Sequence, residues 1–72
     1  MINDNFYKNL GINIKNRRKA MGLTQQDLAD ASKLSLNFIG KIEVAFSKPS
    51  TDAIISIANA LDISVSDLCK FN

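Results

Sequence analysis

From Gly22 to Glu43 the chain places two short helical patterns end to end with only a tight turn between them. Thr24 can cap the first with its hydroxyl, and Asp27 sits where it can complete a capping box. Leu23 before the cap and Leu28 after it can close as a hydrophobic staple. Ser35 opens the second helix in the same way, with Leu34 before it and Ile39 beyond it. Ala29 is small where one helix must cross the other closely. Ile39 and Ile42, at i and i+3, face back toward Leu28 and Ala29. Leu36, Asn37, Gly40 and Lys41 then fall on the opposite, outward face. A helix set at about a right angle to its predecessor, with polar residues near its N-terminus pointing away, suits the major groove of DNA.

The flanking sequence supplies the rest of a helical core. Residues 1–4 read as a loose arm, and a first helix is expected from about Asn5 to Ala20, ending at Gly22. Phe6, Leu10 and Ile14 form its apolar stripe. Gly11 within it weakens the helix by ~1 kcal/mol relative to Ala, which close packing against another helix would explain. Lys15, Arg17, Arg18 and Lys19 make this the most basic segment. Val44 to Pro49 is a connecting loop. Ser50 caps a fourth helix, with Asp52 in its first turn and Ile54, Ile57, Ala58 and Leu61 as its buried stripe. Ile55 lies off the centre of that stripe. Ser64 and Asp67 read as a second capping box opening a fifth element, with Ile63 and Leu68 as its staple.

Composition excludes several classes of function. With 72 residues, 46% of them hydrophobic, there is room for one domain, spanning 1–72, and enough apolar matter for one core. The chain has no histidine and one cysteine, so neither an internal disulfide nor a zinc site can form. Cys69 reads as an ordinary helix residue in a reducing compartment; a redox-sensitive thiol is the alternative. Glu43 is the only glutamate. No nucleophile–base pair, metal cluster or phosphate loop is present, which leaves an enzyme without machinery and implies no cofactor. Neither a signal peptide nor a membrane span is legible, so a soluble, cytoplasmic protein is expected. The net charge of +2 permits nucleic-acid binding without demanding it.

The run Gly22-Leu23-Thr24-Gln25-Gln26-Asp27-Leu28-Ala29, then Ser35 to Glu43, Lys48-Pro49-Ser50 and Ile57-Ala58-Asn59-Ala60-Leu61, resembles the helix-turn-helix domain of the phage Cro/repressor-like bacterial regulators. Within that family it resembles small single-domain regulators, including restriction–modification controller proteins. The resemblance covers about residues 10 to 70, several segments matching in order. It implies an all-α fold, a compact five-helix bundle of the lambda-repressor-like type. It also implies that Arg18 pairs with Glu43 as a partly buried clamp and that Gln25 contacts a DNA phosphate. Two departures stand out. Many relatives carry glycine where this chain has Lys33 and Ala45, and a left-handed backbone at Lys33 would be strained. Phe46 replaces a residue that is often polar; it either folds back over the core, the favoured reading, or stays out to meet DNA or a partner subunit.

On this reading the third helix carries base specificity. Asn37 can pair with adenine, Lys41 can reach guanine, and Leu36 can touch a thymine methyl group. Thr24, Gln25, Ser35, Lys33 and Lys48 are candidates for the DNA backbone, helped by helix N-termini. Lys8 and Lys70 read as solvated. A palindromic operator calls for a homodimer, with Ile55, Val65 and Phe71 as the candidate seam. Regulation would then follow protein concentration, dimerisation or a partner; a controller and a prophage-type repressor both fit. Asp27 and Asp30 offer a weak surface for RNA polymerase, and no small-molecule ligand is evident. The competing class is an antitoxin or adaptor whose main partner is a protein. Salt separates the two, since phosphate-driven binding weakens steeply as salt rises.

Overall fold

The computed structural model describes residues 4–71. Five helices follow in order: α1 Asp4–Ala20, α2 Gln25–Ser32, α3 Leu36–Glu43, α4 Thr51–Ala60 and α5 Val65–Leu68. The expected arm at residues 1–4 lies largely outside the described residues, and α1 already includes Asp4, one position earlier than the sequence suggests.

Every expected cap is in place. The hydroxyls of Thr24, Ser35, Ser50 and Ser64 accept from the backbone N–H three residues on, at 3.0, 3.1, 3.2 and 3.0 Å. At Thr24 the box is complete, because the Thr24 N–H donates to Asp27 Oδ2 at 2.9 Å. That bond, with the contact to the Thr24 hydroxyl, holds the Asp27 carboxyl below the usual carboxylate range. At Ser64 the second half of the expected box is missing. The Asp67 carboxylate lies 3.4 Å from Lys70 Nζ instead, an exposed pair one turn along the chain.

The first four helices also end alike. Gly22, Lys33, Ala45 and Asp62 all take positive φ, between 52° and 73°. After each, the next N–H reaches back five residues: Leu23 to Arg18, Leu34 to Ala29, Phe46 to Lys41 and Ile63 to Ala58, at 2.8–3.1 Å. These bonds satisfy carbonyls that a helix end would leave unpaired. Lys33 does adopt the left-handed conformation, with φ 61° and ψ 33°. Three connections are therefore the same device: a left-handed residue, an apolar residue, then a Ser or Thr cap. Leu23, Leu34 and Ile63 all pack on the core. Phe46 breaks the pattern. It is 77% exposed, so the expectation that it covers the core is wrong. The loop it begins has no cap immediately after it, and nothing turns the ring inward.

Leu10, Ile14, Leu28, Ala29, Ile39, Ile42, Ile57, Ala58, Leu61 and Leu68 make one core drawn from all five helices. Gly11 sits where α1 crosses the end of α3. A Cβ there would lie 2.5 Å from the Ile42 carbonyl oxygen and 2.8 Å from that of Glu43, so only glycine permits the approach.

Polar side chains on α1 fasten the other helices. Arg18 Nε and Nη2 donate to the two Glu43 carboxylate oxygens at 2.7 and 3.1 Å, and Nη1 donates to the Leu23 carbonyl at 2.8 Å. Both side chains are buried, and the bond to Glu43 raises the pKa of the guanidinium. Arg17 donates to the carbonyls of Leu61 and Asp62 at the end of α4, at 3.0 and 3.1 Å. Asn13 donates to the carbonyls of Leu68 and Lys70 at the end of α5, at 2.9 and 3.0 Å. Among the described residues no buried side-chain polar atom lacks a partner.

Three variants test this architecture by thermal or urea unfolding. Gly11→Ala should cost about 1–3 kcal/mol through overpacking against backbone, although alanine is the better helix former; wild-type stability would refute the close crossing. Glu43→Ala should cost ~3–5 kcal/mol because the Arg18 charge stays buried, whereas replacing both partners by apolar residues should recover most of that loss. Equal losses in the single and double variants would show that the pair is not coupled. Ala45→Gly should stabilise by ~1–2 kcal/mol by relieving the left-handed alanine, and a lower melting point would contradict that assignment.

Candidate nucleic-acid interface

The amphipathic division of α3 decides what faces out. Ile39, Ile42 and Glu43 are buried, whereas Leu36 and Asn37 are exposed and Lys41 and Gly40 are half-buried. The three residues expected to read bases therefore share one accessible face. Asn37 and Lys41 lie four apart and form one polar stripe along it. Ser35 is exposed at the helix start, and its hydroxyl is engaged in the cap.

The start of α2 approaches this face. Gln25 Nε2 donates to Glu43 Oε1 at 3.0 Å. The amide assigned by resemblance to a phosphate is thus tied to the buried ion pair, linking the beginning of α2 to the end of α3. The Thr24 hydroxyl is exposed but already accepts the cap bond from Asp27.

The remaining candidate phosphate contacts are spread out. Lys33 is exposed in the turn between α2 and α3. Lys48 is exposed in the loop before α4, and its Nζ stands 5.5 Å from the Tyr7 ring centroid. The basic end of α1 divides by role: Arg17 and Arg18 are committed to internal bonds, while Lys15 and Lys19 are exposed. A pattern of charges alone did not distinguish the two sets.

Two more residues join this face: Val44, which was not foreseen there, and Phe46, for which exposure was the less favoured alternative. Val44 is 72% exposed just past α3, and Phe46 carries Lys41 Nζ 5.6 Å from its ring centroid. With Gln25, Leu36, Asn37, Gly40 and Lys41 they line a shallow groove of about 460 Å³. The signal available in sequence was the Leu36–Gly40–Val44 spacing, which continues the outward stripe one turn beyond the glutamate.

Of the candidate seam residues, Ile55 and Val65 are exposed. Phe71 is half-buried: its ring meets Phe6 edge-on at 5.5 Å and packs against the core. One of the three candidate seam residues therefore serves the chain's own interior as well. Cys69 is half-buried against the core, and burial pushes its thiol pKa up, away from the reactive thiolate. Among the described residues no group of side chains could hold a metal ion, and no helix is long and apolar enough to cross a membrane.

Comparison with known proteins agrees with this geometry. A helix-turn-helix family model matches residues 14–68. The cryptic phage CTXphi transcriptional repressor RstR of Vibrio cholerae is 38% identical over 56 residues, covering 78% of this chain and 50% of RstR. The chain thus spans about half the length of that relative. The restriction–modification controller protein C.AhdI from Aeromonas hydrophila superposes with a TM-score of 0.84 at 32% identity, over 86% of this chain and 94% of C.AhdI. The clp gene regulator ClgR of C. glutamicum superposes with a TM-score of 0.83 at 28% identity, over 88% of this chain and 82% of ClgR. With its capped α2–turn–α3 unit inside the matched segment, the chain belongs to the helix-turn-helix family, in its phage Cro/repressor-like group.

Proposed function

We propose that residues 1–72 act as a single helix-turn-helix domain that regulates transcription by occupying a palindromic operator as a homodimer, with α3 in the major groove. The observation that carries this reading is the division of α3: its isoleucines are buried while Leu36, Asn37 and Lys41 remain accessible. Asn37 suits adenine and Lys41 suits guanine, each through hydrogen bonds on the base edge. The exposed N-termini of α2 and α3 and the lysines Lys33 and Lys48 suit phosphates. RstR is named a repressor and C.AhdI a controller protein, and both roles fit a chain that acts by occupying DNA. Pairing through Ile55 and Val65, with Phe71 at the edge, would present two copies of α3 to successive turns of the duplex. Contact with RNA polymerase would fall to Asp27 and Asp30, both exposed on α2.

Selection of bound duplexes from a random pool tests the proposal directly. A half-site repeated with two-fold symmetry is expected, and affinity should fall steeply between about 50 and about 200 mM salt. A flat salt response, or no enrichment, would favour an adaptor that binds protein. On the selected duplex Asn37→Ala should cost ~1–3 kcal/mol and relax preference at one base position. Unchanged discrimination between duplexes would remove Asn37 from the reading set.

A further inference from the structure

The two glycines inside helices are there for different reasons. Gly11 is required by packing: a Cβ would strike the α3 backbone. Gly40 is not. A Cβ built on it comes no nearer than 3.9 Å to Gln25 Oε1 and 4.0 Å to Gln25 Nε2, which is ordinary contact. Glycine nonetheless weakens a helix relative to alanine, and α3 has only eight residues. The fold does not account for a glycine at this place.

The missing methyl opens a notch in the outward surface of α3. Leu36, Gly40 and Val44 lie four apart on one stripe. The notch is thus flanked along the helix by two branched apolar side chains, 44% and 72% exposed. Phe46 adds an aromatic wall at the Val44 end. At the other three helix ends the equivalent apolar residue packs inward; here it stands out on the same surface as Asn37 and Lys41. Exposed apolar side chains gathered this closely on a small protein mark a contact surface.

We propose that the Gly40 notch receives the C5-methyl group of a thymine in the major groove, with Leu36 and Val44 as the walls that determine specificity and Phe46 closing the end. This inference rests on the DNA-binding reading above. The thymine methyl is the one apolar group that the base pairs present in that groove. The surroundings suit a duplex rather than an apolar protein helix. Lys41 borders the notch, Lys33 lies in the turn before α3, and no acidic side chain lines the groove. Asn37 and Lys41 on the adjacent stripe would read the neighbouring base edges, so polar and methyl recognition run side by side along α3.

The test uses the duplex that the full chain selects from a random pool, with each thymine replaced in turn by uracil, which lacks only the methyl. For the wild-type chain one thymine per half-site should show a loss of about fourfold on replacement. That loss should shrink toward none in Val44→Ala, which removes a wall, and in Gly40→Ala, whose own methyl fills the notch. Gly40→Ala should melt no lower than the wild type, which separates lost recognition from lost folding. If no thymine is sensitive, or if its sensitivity is undiminished in both variants, the notch does not hold a methyl group, although the chain still binds DNA. If no duplex is selected at all, the DNA-binding reading falls and takes this inference with it.

Discussion

Glu43 is the point on which three helices converge. Its carboxylate takes two hydrogen bonds from Arg18 of α1 and one from Gln25 of α2, while its own backbone ends α3. A buried carboxylate is costly unless its charge and lone pairs are met, and here three donors meet them. The consequence is positional. The outward face of α3 has a fixed orientation relative to the N-terminus of α2, and these are the two surfaces that a duplex would touch together. Gly11 completes the arrangement by letting α1 come within contact of the same helix end.

Gln25 has a structural role that its proposed phosphate contact would have to accommodate. Its Nε2 is engaged with Glu43, while its amide oxygen lies at the edge of the α3 groove. An amide oxygen only accepts, so a phosphate contact at this position would need the second Nε2 hydrogen or a free backbone N–H at the start of α2. Resemblance alone assigned it only the phosphate contact, because a contact between distant segments has no local signature.

Local grammar was the legible part of the sequence. Caps at Thr24, Ser35, Ser50 and Ser64, the apolar stripes, and the stop at Gly22 each depend on neighbours within a few residues, and each is found where that chemistry puts it. The left-handed turn at Lys33 was legible only because the family tends to place glycine there. What sequence left unread depends on distant partners. Arg17 and Asn13 look like solvated polar residues, yet their partners are carbonyls more than 40 residues away. Phe46 was misjudged for a related reason. An apolar residue after a helix end ordinarily packs inward, as Leu23, Leu34 and Ile63 do, and only the longer path from α3 to α4 leaves it outside. On the candidate interface, α3's outward residues followed from periodicity, whereas Val44, the C-cap just past the end of α3, joined them only in the structure.

The reach of α1 bears on how the chain folds during synthesis. Asn13 donates to carbonyls 55 and 57 positions later, and Arg17 to carbonyls 44 and 45 positions later. The ribosome must therefore deliver residues 61–70 before the first helix acquires these bonds. Until then a nascent α1 would expose Leu10 and Ile14 with part of their packing still untranslated. Native structure should consequently arrive together once residues 61–70 are available, rather than growing helix by helix from α1.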